Sequence, residues 1–267
     1  GIACKFNTNA DSLNLDPGLA TGVFRVLQEA LTNVSKHADA SKVNVQLFTN
    51  DSHVTLEVHD NGQGLQHADL AKPAMKGQVC VRSGSHPYNL SLFGAVNEHL
   101  GPEKTEAWLK GMVANLARDP KGGDTDQIKA VASGECEIAV TNSYYLARLM
   151  RSTKPEDVTV ANKVGAVFPN QQSWGTHVNI AGGAVARYAK HPENAVRFLE
   201  YLATPEAQNY FANGNNEWPA AKGIHTENPA LQAMTGGKPF KSENIPISAV
   251  GAHLGAVQQM LDRVGFK

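Results

Sequence analysis

The first 66 residues carry two hydrophobic patterns in succession. Apolar side chains recur at helical spacing after Asp16-Pro17, which predicts one helix with Leu19, Val23, Val26, Leu27, Ala30, Leu31 and Val34 as its apolar positions. Alternating apolar residues then predict two strands, marked by Val43, Val45 and Leu47 and by Val54, Leu56 and Val58. The polar run Thr49-Asn50-Asp51-Ser52 joins them as a hairpin, and Asp60-Asn61-Gly62-Gln63-Gly64 follows as a turn.

From about Ala68 the pattern changes to strands that alternate with helices. It predicts a strand over residues 78–82, helices ending near His99 and over 103–118 and 125–133, and a strand over 137–141. Pro192 and Thr204-Pro205 are typical helix starts, and Gly214 is a typical helix end. Such alternation indicates an α/β fold with parallel sheets, whose ligands lie beyond the C-terminal ends of the strands.

Composition narrows the class of protein without identifying it. The chain has 267 residues, 42% of them hydrophobic, and a formal net charge of -1. These values predict a globular protein and give no basic surface for nucleic acid or for a membrane. The longest apolar stretches, such as residues 181–186, are too short for membrane insertion, and no signal peptide is expected at Gly1.

Three tyrosines stand where predicted strands end. Tyr88 follows the strand over 78–82, and Tyr144-Tyr145 follows the strand over 137–141. Taken alone, a pair of adjacent tyrosines is ordinarily one core residue beside one surface residue. The surrounding sequence favours a functional interpretation instead.

Several stretches resemble ferric-iron-binding periplasmic proteins of the ABC-import type, and they follow in that family's order. They are VCVRSGSHPYNLSL at 79–92, GGDTDQ at 122–127, GECEIA at 134–139, TNSYY at 141–145, FLEYL at 198–202 and YFANGNNE at 210–217. The resemblance implies a two-lobed fold of the periplasmic-binding-protein type II class. It further implies a non-enzymatic, periplasmic protein that delivers Fe(3+) to an ABC permease, with Tyr88, Tyr144 and Tyr145 as iron ligands.

The chemistry of tyrosine agrees with this resemblance. Ferric ion is a hard cation that favours anionic oxygen, and three phenolates neutralise its charge. The ordinary pKa of tyrosine lies near 10, so the metal has to displace the phenolic protons. We therefore expect iron binding to weaken as the pH falls.

Residues beside the tyrosines have alternative interpretations. Arg82 and the turn Ser83-Gly84-Ser85 precede a helix. In one interpretation they hold carbonate or another small anion beside the metal, and in the other they cap that helix. His86 is expected to face solvent, and His177 is expected to be structural.

The chain has three cysteines, so at least one of them has no partner within the chain. Cys80 and Cys136 each lie in or beside a strand that leads to a tyrosine loop. If those strands are neighbours, a disulfide braces the site, as is common in an oxidising compartment. The sequence leaves that pairing open.

The ferric-binding family also has a first half-lobe that carries its remaining ligands, and we expect that half-lobe to be absent from this sequence. Residues 67–170 are then the tyrosine-bearing lobe, and residues 171–267 are the remainder of the other lobe. The resemblance therefore predicts one intact wall of an iron-binding cleft.

The first 66 residues resemble a different family, the ATP-binding domain of sensor histidine kinases. FRVLQEALTNVSKHA at 24–38 is similar to the N-box helix, and VHDNGQGL at 58–65 is similar to the first glycine box. The resemblance implies nucleotide-binding roles for Glu29, Asn33, Asp60, Gly62 and Gly64, with Asn33 holding magnesium and Asp60 bonding adenine. His37 is not a phosphoacceptor in this interpretation.

Three hypotheses follow from these two resemblances. The leading one is a ferric-iron-binding component of an importer. The second is an ATP-binding, magnesium-dependent kinase fragment fused to a sensor-like domain, although the second glycine-rich box needed to cradle phosphate is not found. The third is a chimera in which a helix-plus-hairpin segment precedes an incomplete two-lobed fold and neither function is intact.

Overall fold

The computed structural model describes residues 1–9, 15–38, 40–50, 53–62 and 64–267. The side chains of Glu29, Asn33, Lys36 and His37 also lie outside this description, as do the predicted turn residues Asp51, Ser52 and Gln63. The chain forms two compact units. The first unit consists of Gly1–Asp69 and Phe168–Gly175, and the second consists of Leu70–Val167 and Thr176–Lys267.

The first unit is a three-stranded sheet with one long helix. The elements are β1 (Ala3–Thr8), α1 (Pro17–His37), β2 (Lys42–Thr49) and β3 (Val54–Asp60). β2 is the central strand, parallel to β1 and antiparallel to β3. This arrangement confirms the predicted helix and the predicted pair of strands.

Local chemistry explains where the long helix begins and how it packs. The Asp16 carboxylate accepts hydrogen bonds from the amides of Gly18 and Leu19, at 2.8 and 3.2 Å, which satisfies helix donors that have no partner within the helix. Val34 of α1 packs with Val43 and Val45 of β2 in the buried core of the unit. Leu27 and Leu31 also pack against this core, whereas Leu19 and Val26 are exposed, so only part of the apolar face predicted from the sequence covers the sheet.

The second unit surrounds a short two-stranded sheet with helices. Its strands are β4 (Val79–Cys80) and β5 (Ile138–Ala139), which pair in parallel. Its helices are α2 (Pro87–Leu100), α3 (Pro102–Ala114), α4 (Asp124–Ser133), α5 (Ser143–Met150), α6 (Pro155–Ala161), α7 (Pro192–Leu202), α8 (Pro205–Gly214), α9 (Pro229–Thr235) and α10 (Ile247–Val264). Two turns of 3-10 helix, His67–Ala71 and Pro73–Met75, precede β4.

The core of the second unit centres on Phe93 of α2, which is fully buried. Its ring contacts the ring of Trp108 on α3 at a centroid distance of 5.6 Å and that of Phe266, just after α10, at 5.5 Å. Aromatic packing of this kind supplies a large apolar area and a defined ring geometry. These contacts hold α2, and with it Tyr88, in a fixed position.

A buried polar network also anchors α2. The carboxylate of Glu243 accepts hydrogen bonds from His99, at 3.1 Å, and from His177, whose second ring nitrogen lies 3.0 Å from Ser91 Oγ. Burial raises the pKa of Glu243, but the bonds from His177 and His99 outweigh burial and lower that pKa below its ordinary value. His177 is structural, as predicted.

Three predicted elements are shorter in the structure than in the prediction. The strands predicted over 78–82 and 137–141 each contain only two residues, Val79–Cys80 and Ile138–Ala139. The helix predicted to reach residue 118 ends at Ala114, because the backbone that follows pairs with Val79 of β4, whose carbonyl accepts from the Ala117 amide at 2.9 Å. β1 was not predicted at all.

Candidate metal centre

Parallel pairing of β4 and β5 brings two loops to the same edge of the sheet. Val79 is opposite Ile138 and Cys80 is opposite Ala139. The amide of Val140 donates to the Cys80 carbonyl at 3.1 Å, which extends the alignment by one residue. Because both strands point the same way, α2 and α5 begin side by side beyond that edge.

A disulfide between Cys80 and Cys136 crosses this scaffold. Their Cα atoms are 6.0 Å apart, and both residues are buried, with Ala117, Ala130 and Val131 packed around them. The pairing that the sequence left open is therefore formed in the structure. Cys4, in the first unit, is an exposed free thiol.

The three predicted tyrosines come together at the starts of the two helices. Tyr88 is the second residue of α2, and Tyr144 and Tyr145 are the second and third residues of α5. The hydroxyl oxygens of Tyr88 and Tyr144 are 2.9 Å apart, and the rings of Tyr144 and Tyr145 stack with centroids 4.3 Å apart. All three side chains are partly buried.

Two arginines flank the tyrosine cluster, meaning Tyr88, Tyr144 and Tyr145. The Arg82 guanidinium lies over the Tyr88 ring at 5.2 Å from its centroid, and that of Arg148 lies over the Tyr145 ring at 4.9 Å. Cations in these positions are attracted by the negative faces of the rings. Arg148 was not among the predicted site residues, although its position three residues after Tyr145 places both on one face of α5.

Burial raises the pKa of Tyr144, and the hydroxyls of Tyr145 and Tyr88 raise it further. Burial disfavours the charged phenolate, and the two neighbours add to this effect through hydrogen bonding and charge repulsion. With no cation bound, the Tyr144 phenol therefore keeps its proton at neutral pH. A bound cation of high charge reverses that preference.

The predicted anion-binding residues are engaged in other contacts. The amide of Gly84 donates to the Lys267 carbonyl at 2.8 Å, and the hydroxyls of Ser83 and Ser85 lie 3.1 Å apart. Arg82 donates to Asp124 at 2.8 Å, while its Nε has no hydrogen-bond partner. An anion-binding role for this loop stays a prediction, and the Gly84 amide already donates its hydrogen bond to a protein carbonyl.

His86 is partly exposed to solvent and also makes contacts at the start of α2. It is partly buried and caps α2, since its Nδ1 accepts from the Tyr88 amide at 3.3 Å. Its ring also meets the Tyr88 ring edge-on at a centroid distance of 4.5 Å. Burial and the nearby Arg82 lower the pKa of His86, whereas Asp124 acts in the opposite direction.

The residues of the kinase-like motif form a tight turn in the first unit. Asp60 Oδ1 accepts a hydrogen bond from the Gly62 amide at 2.7 Å, and Gly64 has a φ of 65°. A Cβ on Gly62 would lie 2.0 Å from the Ala38 carbonyl oxygen, so close backbone packing requires glycine there. The side chains of Glu29 and Asn33 are outside the described part of the chain.

Other metal-binding chemistry is not apparent in the described ranges. Within them, no group of three or more histidine, cysteine or carboxylate side chains is arranged to hold a metal ion. None of the described helices combines the length and the apolar character that a membrane span requires. The tyrosine cluster is therefore the candidate metal centre.

The family of the protein follows from comparison with known sequences. Residues 26–235 match the model of the bacterial extracellular solute-binding protein family. This match covers well over half of the chain, and the chain therefore belongs to that family. Its beginning, at residue 26, lies inside the segment that resembles a sensor kinase.

Individual relatives and solved structures agree with this assignment. Iron uptake protein A1 of Synechocystis is 39% identical over 201 residues, which are 75% of this chain and 55% of that protein. The structure of Trichodesmium IdiA (FutA) in complex with iron and citrate is 30% identical, with a TM-score of 0.72 over 100% of both chains. The predicted two-lobed α/β fold class is thereby confirmed, while the chain spans little more than half the length of the curated relative.

A second, shorter similarity concerns sensor kinases. The oxygen sensor histidine kinase NreB of Staphylococcus carnosus is 38% identical over 72 residues, which are 27% of this chain and 21% of that protein. The comparison thus finds the predicted similarity between a short segment of this chain and sensor histidine kinases. It does not extend to the length of a complete kinase domain.

Proposed function

We propose that the protein binds ferric iron through the phenolates of Tyr88, Tyr144 and Tyr145. The observation that carries this proposal is the 2.9 Å separation of the Tyr88 and Tyr144 hydroxyls, with the Tyr145 ring stacked against that of Tyr144. Side chains that are distant in sequence thus present their oxygens to one place. In this proposal the protein is a binding component, not an enzyme, and iron is its cargo.

The donor set suits this cargo better than it suits other cations. Three phenolates carry three negative charges, which balance one ferric ion, and oxygen donors of high charge density favour hard metals. Such neutralisation reduces the cost of holding a charged ion in a partly buried site. The relatives include an iron uptake protein and a protein whose structure contains iron and citrate, which supports the same cargo.

The proposal also places the protein in an import system. Delivery of iron to the permease of an ABC importer, from the periplasm, agrees with membership of the extracellular solute-binding family. A disulfide beside the tyrosine cluster suits an oxidising compartment. A small anion held near Arg82, Ser83 and Ser85 would complete the coordination of the metal.

A ferric citrate titration tests the proposal. The purified protein is titrated while the visible tyrosinate-to-iron charge-transfer band is recorded. We expect a saturable band with the parent protein and a much weaker one with Tyr144→Phe and with Tyr145→Phe, because each change removes one phenolate. Tyr188→Phe is the matched control, since Tyr188 is 87% exposed and outside the cluster.

The outcome decides clearly between the hypotheses. A band that is equally strong in the cluster variants and in the control would refute the tyrosine ligands. Absence of any band from a folded parent protein would refute iron binding by this chain and leave the chimera hypothesis.

For the N-terminal segment we propose a more limited interpretation. Residues 1–66 are a fragment related to the ATP-binding domain of sensor kinases. The regions expected as the tyrosine-bearing lobe, 67–170, and the remaining lobe, 171–267, follow it, and most of both belongs to the second compact unit. The sheet with its single long helix and the short kinase similarity support a common origin of this fragment. The Asp60 carboxylate is already bonded to the Gly62 amide, which favours a structural turn over a nucleotide site.

A further inference from the structure

One buried carboxylate contacts both loops that lead to the tyrosine cluster. Asp124, the first residue of α4, is 1% exposed. Its Oδ1 accepts a hydrogen bond from Arg82 Nη1 at 2.8 Å, and its Oδ2 accepts one from the backbone amide of Asn142, also at 2.8 Å. A third element of the unit therefore joins the loop after β4 to the loop after β5.

Each of these two bonds lies directly beside a tyrosine. Arg82 lies over the Tyr88 ring, so the Asp124 carboxylate fixes the guanidinium that covers this ring. Asn142 is the N-cap residue of α5, whose first turn carries Tyr144 and Tyr145. Movement of Asp124 would thus be transmitted to all three rings.

We propose that Asp124 is a positioning residue that aligns the two tyrosine-bearing loops so that their three phenol groups converge on one ion. This inference rests on the proposed function and deepens it. Asp124 contributes no ligand of its own, because both of its oxygens are already occupied by protein donors.

The charge of Asp124 has a second effect on the site. The Arg82 guanidinium carries a full positive charge close to Tyr88, where it would repel a ferric ion. The Asp124 carboxylate pairs with that guanidinium within a largely buried environment, which offsets the repulsion. Groups that orient metal ligands without touching the metal commonly change metal affinity by about 10- to 100-fold when they are mutated.

The test uses Asp124→Asn, which keeps the size of the side chain but removes its charge. Asp126→Asn is the matched control, since Asp126 lies in the first turn of the same helix. Among the described contacts, its carboxylate accepts a hydrogen bond only from the Gly123 amide, at 2.7 Å. Circular dichroism first establishes that both variants are folded. Ferric citrate titration then gives the affinity and the wavelength of the charge-transfer band.

We expect Asp124→Asn to lower iron affinity by about 10- to 100-fold and to shift the band, while Asp126→Asn leaves both unchanged. A merely structural role of Asp124 would lower stability without moving the wavelength of the band. Equal affinity and equal wavelength in the parent and in Asp124→Asn would overturn the proposal.

A measurement without iron separates this inference from the proposed function. All six tyrosines are replaced by 3-fluorotyrosine and their fluorine NMR resonances are assigned by single Tyr→Phe variants. Asp124→Asn should move the resonances of Tyr88, Tyr144 and Tyr145, and Asp126→Asn should move none of them. If the parent protein binds no iron, the proposed function is refuted. If the fluorine resonances do not move in Asp124→Asn, the positioning role is refuted, whether or not the parent protein binds iron.

Discussion

Removal of the Cys80–Cys136 disulfide should measurably destabilise the second unit. The bond closes a loop with a sequence separation of 56 residues, and both cysteines are buried. In the chain-entropy description, a cross-link over a loop of this length lowers the entropy of the unfolded chain enough to stabilise the fold by about 4 kcal/mol at 25 °C. The loss on removing the bond should approach this value.

Urea unfolding followed by circular dichroism is the appropriate assay. The variant is Cys80→Ala with Cys136→Ala, in a Cys4→Ser background that prevents exchange with the exposed thiol. With an m-value of about 3 kcal/mol/M, the midpoint of the second unit's transition should fall by roughly 1.4 M. Cys4→Ser alone should unfold like the parent.

Two results would refute this reasoning. A midpoint shift below about 0.3 M would mean that the unfolded chain gains little freedom when the bond is absent. If a reducing agent lowers the midpoint of Cys4→Ser much less than the two alanine substitutions do, the effect of those substitutions does not come from the loss of this bond.

Two further predictions concern a buried carboxylate and two glycines. Because the pKa of Glu243 is lowered in the folded protein, its contribution to stability is present above the unfolded value of about 4.3 and is lost as the pH falls through the folded pKa. Glu243→Gln should therefore flatten the decrease in stability between about pH 5 and pH 2 in acid-unfolding curves, and an unaltered decrease would contradict this assignment. Gly62→Ala should destabilise the first unit in urea because the new methyl group meets the Ala38 carbonyl, whereas Gly22→Ala, at an open position in α1, should stabilise it by up to about 1 kcal/mol. Equal effects of the two glycine substitutions would show that the turn tolerates a side chain.

Much of the fold was predictable because local signals were strong. Asp16-Pro17 and Thr204-Pro205 mark helix starts through side-chain caps and proline, and both helices begin there. Alternating valines in β2 have one buried face, which is why the strand was recognised. β1 was not predicted, since its apolar alternation is limited to Cys4 and Phe6, and five of its six residues are exposed in the structure.

The candidate site was predictable only in part, and for a physical reason. The resemblance located the three tyrosines, and parallel pairing of β4 and β5 explains why they meet. The role of Asp124 depends on two bonds to residues 42 and 18 positions away, which no local pattern encodes. The hydrogen bond from the Gly84 amide to the Lys267 carbonyl could likewise not be predicted from the sequence.

That last contact bears on the order in which the protein folds. Gly84 lies in the loop beside the tyrosine cluster, and the Phe266 ring packs so closely on it that an added Cβ would be 2.9 Å from a ring carbon. Contacts between such distant parts of a chain close large loops and form slowly. Because Phe266 also packs against Phe93, the loop reaches its final shape only when the C-terminal residues join this core, and iron capture would report completed folding of the second unit.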